Sequence, residues 1–74
     1  MNEAIKIRET VRQYFESQNF EEWLAIECHT PERLGIAFKV FMEFRRDMPE
    51  AENAIFDYDI ENDVFWVRGN IYHG

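Results

Sequence analysis

The sequence predicts an α+β domain: two main helices, near residues 3–17 and 31–47, packed on a C-terminal antiparallel β-hairpin near 54–60 and 64–72. Three observations carry that prediction. Apolar residues recur at helical spacing in two stretches, strict alternation takes over after residue 54, and a Thr-Pro-Glu start signal at 30–32 divides the chain between them. With no internal repeat, linker or low-complexity segment, residues 1–74 read as one compact domain. That length is near the lower limit for a core that stands without disulfides or metals. The composition, 46% hydrophobic and 16% aromatic, is rich enough to supply one.

The first helix follows from Ala4, Ile7, Val11, Tyr14 and Phe15, which share a narrow stripe, with Arg8, Glu9, Arg12 and Glu16 on the other side. Ile5 falls outside the stripe and reads as a stray exposed residue. Residues 20–28 admit two readings. Asn19 with Glu22 has capping-box spacing and favours a short helix, whereas a strand puts Leu24, Ile26 and Cys28 on one face. The strand is preferred, because a third strand would support a hairpin that is marginal alone.

The second helix has the clearer start: Thr30 suits the N-cap, Pro31 the first helical position, and Glu32 the positive end of the dipole. Its apolar residues, Leu34, Ala37, Phe38, Val40, Phe41, Met42, Phe44 and Met48, cover an arc of about 200°, wider than an ordinary surface helix requires. The helix is therefore expected to meet more than one element, or a partner. Gly35 suggests a close backbone approach, and Pro49 ends the helix by restricting Met48.

In the hairpin, Phe56, Tyr58 and Ile60 alternate with Asp57, Asp59, Glu61 and Asp63, so one strand face is apolar and the other anionic. A two-residue loop at Asn62 and Asp63 pairs Ile60 with Phe65, Tyr58 with Val67 and Phe56 with Gly69. The other face then pairs Glu61 with Val64, Asp59 with Trp66 and Asp57 with Arg68. This predicts an acidic ladder with one tryptophan set in it and Arg68 neutralising one end.

The net charge of −7 is uneven. Residues 49–74 carry six acids and only Arg68. An anionic domain repels phosphate backbones, which argues against direct nucleic-acid binding and favours a basic protein surface, that of a nucleic-acid-binding protein included. The single cysteine, Cys28, excludes an internal disulfide, and with the charged residues 1–16 in place of a leader core it points to the cytoplasm. No apolar run approaches the roughly 20 residues of a membrane span.

Chemical motifs are weak. The acids at 57, 59, 61 and 63 imitate the first half of a calcium loop, but Asn62 stands where glycine is needed and Arg68 where a bidentate glutamate is needed. Cys28, His29 and His73 match neither zinc-ligand spacing nor an oriented nucleophile and base, and three glycines cannot build a phosphate cradle. No catalytic residue, metal or cofactor is assigned. The expected function is a small acidic non-enzymatic interaction module, an inhibitor or antagonist docking a basic surface through Asp57, Asp59, Glu61, Asp63 and Trp66. Two alternatives stand beside it. One is a DNA mimic, for which a single strand offers carboxylates only about 6–7 Å apart. The other is a homo-oligomeric structural protein, a homodimer for example, joined through Phe38 and Met42.

Overall fold

A computed structural model describes residues 3–69 of the chain. The order is α1 (Glu3–Ser17), β1 (Leu24–Glu27), α2 (Pro31–Asp47), a short 3-10 turn (Pro49–Ala51), β2 (Ile55–Asp59) and β3 (Val64–Arg68). The three strands form one antiparallel sheet in the order β1-β3-β2, with both helices on one face, so the α+β expectation holds. Residues 70–72 of the expected second hairpin strand, and His73, lie outside the described residues.

Each element forms for an identifiable local reason. α1 buries Ile7, Val11 and Phe15 on the expected stripe and leaves Ile5 exposed. At the start of α2, the Thr30 side chain accepts a hydrogen bond from the Arg33 N–H at 3.2 Å, which satisfies one orphan donor of the first turn. At its end the Met48 N–H reaches the Phe44 carbonyl before Pro49 opens the 3-10 turn. Residues 24–27 are a strand rather than a helix, because β3 offers them a partner: Leu24 faces Val67 and Ile26 faces Phe65. Both pairs point toward the helices.

The helices run in the same general direction. Arg33 pairs with Glu3 near their N-terminal ends, Arg8 with Glu43 further along, and Phe15 stacks on Phe44 towards the C-terminal ends. Both ion pairs are partly exposed, so they set orientation more than stability. Stability comes from the layer between helices and sheet, where Val11, Phe15, Val40, Phe41, Phe65, Val67 and Cys28 are fully buried. Phe65 is the junction of an aromatic cluster, with ring centroids 5.6 Å from Phe56, 5.9 Å from Phe41 and 6.3 Å from Phe38.

Two local expectations fail. The hairpin register is displaced by two residues: Asp59 faces Val64, Tyr58 faces Phe65, Asp57 faces Trp66, Phe56 faces Val67 and Ile55 faces Arg68. A two-residue loop is replaced by the four residues 60–63. The displacement is even, so every side chain keeps its predicted face. The second failure concerns glycine. A Cβ on Gly35 would meet nothing within 4 Å, whereas one on Gly69 would overlap the Phe20 ring. The close approach exists, but at the end of β3.

Candidate functional site

The face of the sheet turned away from the helices carries Ala25 and Glu27 of β1, Val64, Trp66 and Arg68 of β3, and Ile55, Asp57 and Asp59 of β2. Within it Asp57 and Trp66 are direct cross-strand partners, and with Trp23 they line a shallow depression of about 270 Å³. Trp23 is 41% exposed and Trp66 37%, and among the described residues no element covers either. Both indoles remain accessible. Tryptophan beside a carboxylate offers a cation both a counter-charge and a π face.

Arg68 does not neutralise the acids. It stands opposite Ile55, its guanidinium lies 5.8 Å from the Trp23 ring centroid, and its Nε donates to the Phe20 carbonyl at 3.3 Å. The expected Asp57–Arg68 pairing is thereby replaced by an arginine drawn back against its own chain.

The four-acid ladder is also shorter than the alternation suggests. Asp57 and Asp59 stand on β2, whereas Glu61 and Asp63 belong to the loop. Asp59 builds that loop: its Oδ1 accepts from the Glu61 N–H at 3.0 Å and the Asn62 N–H at 3.3 Å, and its Oδ2 accepts from the Asn62 side-chain amide at 2.7 Å. Asp63 closes it in the left-handed region at φ 53°, and its carbonyl receives the Cys28 N–H at 2.8 Å. Glu61 is exposed at the tip. The predicted site residues thus divide into a cross-strand pair, Asp57 with Trp66, a loop-forming pair, Asp59 and Asp63, and one outlying charge.

The hydrogen bonds from Asn62 and Glu61 hold the Asp59 carboxyl below the ordinary aspartate range. A depressed folded value adds stability above the unfolded pKa and loses it as pH falls through the folded one. Acidification below about pH 4 should therefore loosen the loop before the core responds. Amide exchange of Glu61 and Asn62 checks this, with Asp59→Ala expected to give the same fast exchange at neutral pH; equal protection in wild type and variant would contradict it.

A second concavity was only hinted at by the wide apolar arc of α2. Pro31, Leu34, Gly35 and Phe38 of α2 face Tyr58, Ile60 and Phe65 of the hairpin across an apolar groove of about 520 Å³. It exists because α2 lies over β3 while β2 projects beyond it. Phe38, Met42, Phe56, Tyr58 and Ile60 consequently remain exposed along one flank. Phe38 and Met42, singled out in the sequence, belong to this flank.

Among the described residues, Cys28 and His29 form no site together. Cys28 is fully buried, its thiol donates to the Ile26 carbonyl at 3.4 Å, and burial pushes its pKa up, which disfavours the thiolate. His29 is exposed at φ 67° in the loop before α2. Among the described residues no three of His, Cys, Asp and Glu are grouped to hold a metal ion, and no helix is long and apolar enough to cross a membrane. No protein-family model, curated protein or solved structure matches this chain.

Proposed function

We propose that this chain is a non-enzymatic protein-interaction module that docks a basic surface of another protein through the exposed face and edge of its hairpin, acting as an inhibitor or antagonist of that partner. The carrying observation is the Asp57–Trp66 cross-strand pair, with Trp23 beside it, on a sheet face that no described element covers. Charge at such a site speeds encounter, and desolvated aromatics lengthen residence. Burial of the Cys28 thiol disfavours the thiolate and so weighs against nucleophilic catalysis at that residue. Cys28, a free cysteine, agrees with action in the reducing cytoplasm.

The DNA-mimic reading is less favoured because only Asp57 and Asp59 stand on the strand, too few to follow a phosphate backbone. A basic nucleic-acid-binding protein remains a suitable partner by charge.

An unstructured lysine oligomer serves as the probe. Asp57→Asn, Asp59→Asn and Glu61→Gln together should slow its association and flatten the salt dependence more than Glu16→Gln, Glu21→Gln and Glu22→Gln do. The two sets remove the same charge, and Asn at 59 retains a carbonyl acceptor for the loop. Equal losses in both sets would reduce the effect to net charge and sink the proposal.

A further inference from the structure

Strand β2 borders the sheet, and among the described residues no strand pairs with its outer side. The Cys28 N–H to Asp63 carbonyl bond sets the phase of the ladder: Asp63, Phe65 and Val67 face β1, so Val64, Trp66 and Arg68 exchange bonds with Asp59, Asp57 and Ile55. The backbone N–H and C=O groups of Phe56 and Tyr58 therefore point away from the sheet. One of them is engaged locally, since the Tyr58 N–H donates to Asp57 Oδ1 at 2.8 Å. The carboxylate acts as a guard on an edge that would otherwise invite pairing.

On the helix side of the same edge lies the apolar flank of Phe38, Phe56, Tyr58 and Ile60, leading into the groove beneath α2. On the other side stand Asp57 and Asp59. An incoming strand thus meets acids on one face and apolar surface on the other, in strict alternation.

We propose that an extended segment of a partner protein, alternating basic and apolar residues, adds as a fourth strand along the outer edge of β2. The inference rests on the docking reading above and specifies its mode. Basic side chains lie over Asp57 and Asp59, the first of them at the Trp23–Trp66 depression, while the apolar side chains cover Phe56 and Tyr58 and enter the groove. A carbonyl of the incoming strand replaces Asp57 as acceptor of the Tyr58 N–H. That exchange frees the carboxylate for the cation.

Charge selects this occupant over a second copy. Antiparallel pairing of two β2 edges about a two-fold axis keeps faces matched, so it sets Asp57 and Asp59 of one chain beside the same acids of the other. A basic strand turns that repulsion into attraction.

The test compares a short peptide of alternating Lys and Val with a block isomer of the same composition, observed on isotope-labelled protein. The alternating peptide should bind about tenfold tighter. It should shift the amides of Phe56, Tyr58 and Phe38, and Ile60→Ser, which leaves charge unchanged, should weaken it several-fold without moving Tm. Equal affinity of the two peptides, with shifts confined to Asp57 and Asp59, would overturn strand addition and leave the docking reading standing. Absence of binding, or shifts spread over α1, would overturn both. Phe56 and Tyr58 shifts that grow with protein concentration in the absence of peptide would make a second copy the occupant and overturn the proposal.

Discussion

Phe65→Ala should lower stability by about 3–5 kcal/mol, the range for removing a buried aromatic ring. Phe65 is 1% exposed and touches rings from α2 and β2 at once, so no single neighbour can collapse into the space it leaves. For 74 residues the whole stability is about 4–11 kcal/mol, so the variant loses a large share of it. In a domain of this size Tm should fall by at least about 12 °C. Urea titration followed by far-UV circular dichroism measures the loss. Tyr58→Ala provides the contrast, because its side chain shares the same sheet face but is 48% exposed where β2 projects beyond α2. It should cost less than half as much. Similar losses would mean that α2 covers β2 as fully as β3.

Gly69→Ala should cost about 1–3 kcal/mol, although only a methyl group is added. No positive φ is involved at Gly69, so the cost is one of space. The new Cβ would displace the Phe20 ring, which is held by Tyr14 at 5.8 Å and Phe15 at 6.0 Å. Tyr14 is tied to the same place, its hydroxyl accepting from the Gly69 N–H at 2.8 Å and donating to the Glu22 carbonyl at 2.6 Å. Moving Phe20 therefore disturbs the junction between the end of β3 and the loop leading to β1. Thermal unfolding checks this, with Gly35→Ala expected to be neutral or stabilising, since open space surrounds Gly35 in an exposed helix position. A tolerated Gly69→Ala would contradict the close packing.

These two positions show what the sequence could and could not convey. The limits of α2 were legible because Thr30, Pro31 and Pro49 act on their immediate neighbours. The strand at 24–27 was legible only as a preference, because its partner lies about forty residues away. The close approach falls at Gly69 and not at Gly35, and nothing local to Gly69 announces Phe20. The hairpin faces were readable from period-two alternation, but the register was not. A two-residue loop was the simplest rule, whereas Asp59 folds back on Asn62 and Asp63 adopts a left-handed conformation, which together make a longer loop.

The candidate site changed for the same reason. Alternation alone makes the acids look equivalent, yet the longer loop takes Glu61 out of its expected pairing with Val64, leaves it with Asp63 in the loop, and moves Trp66 opposite Asp57. Trp23 joins that pair through sheet pairing that no local pattern encodes. The apolar groove was foreshadowed by the breadth of the α2 arc, although not its position beside an unpaired edge.

Amide hydrogen exchange at Phe56 tests the central claim most directly, because its N–H points outward from β2 and bonds to nothing across the sheet. At saturation with the alternating Lys-Val peptide that amide should become strongly protected while the amides of α1 keep their rates. Saturable binding that leaves Phe56 exchange unchanged would contradict an edge built to receive a basic strand.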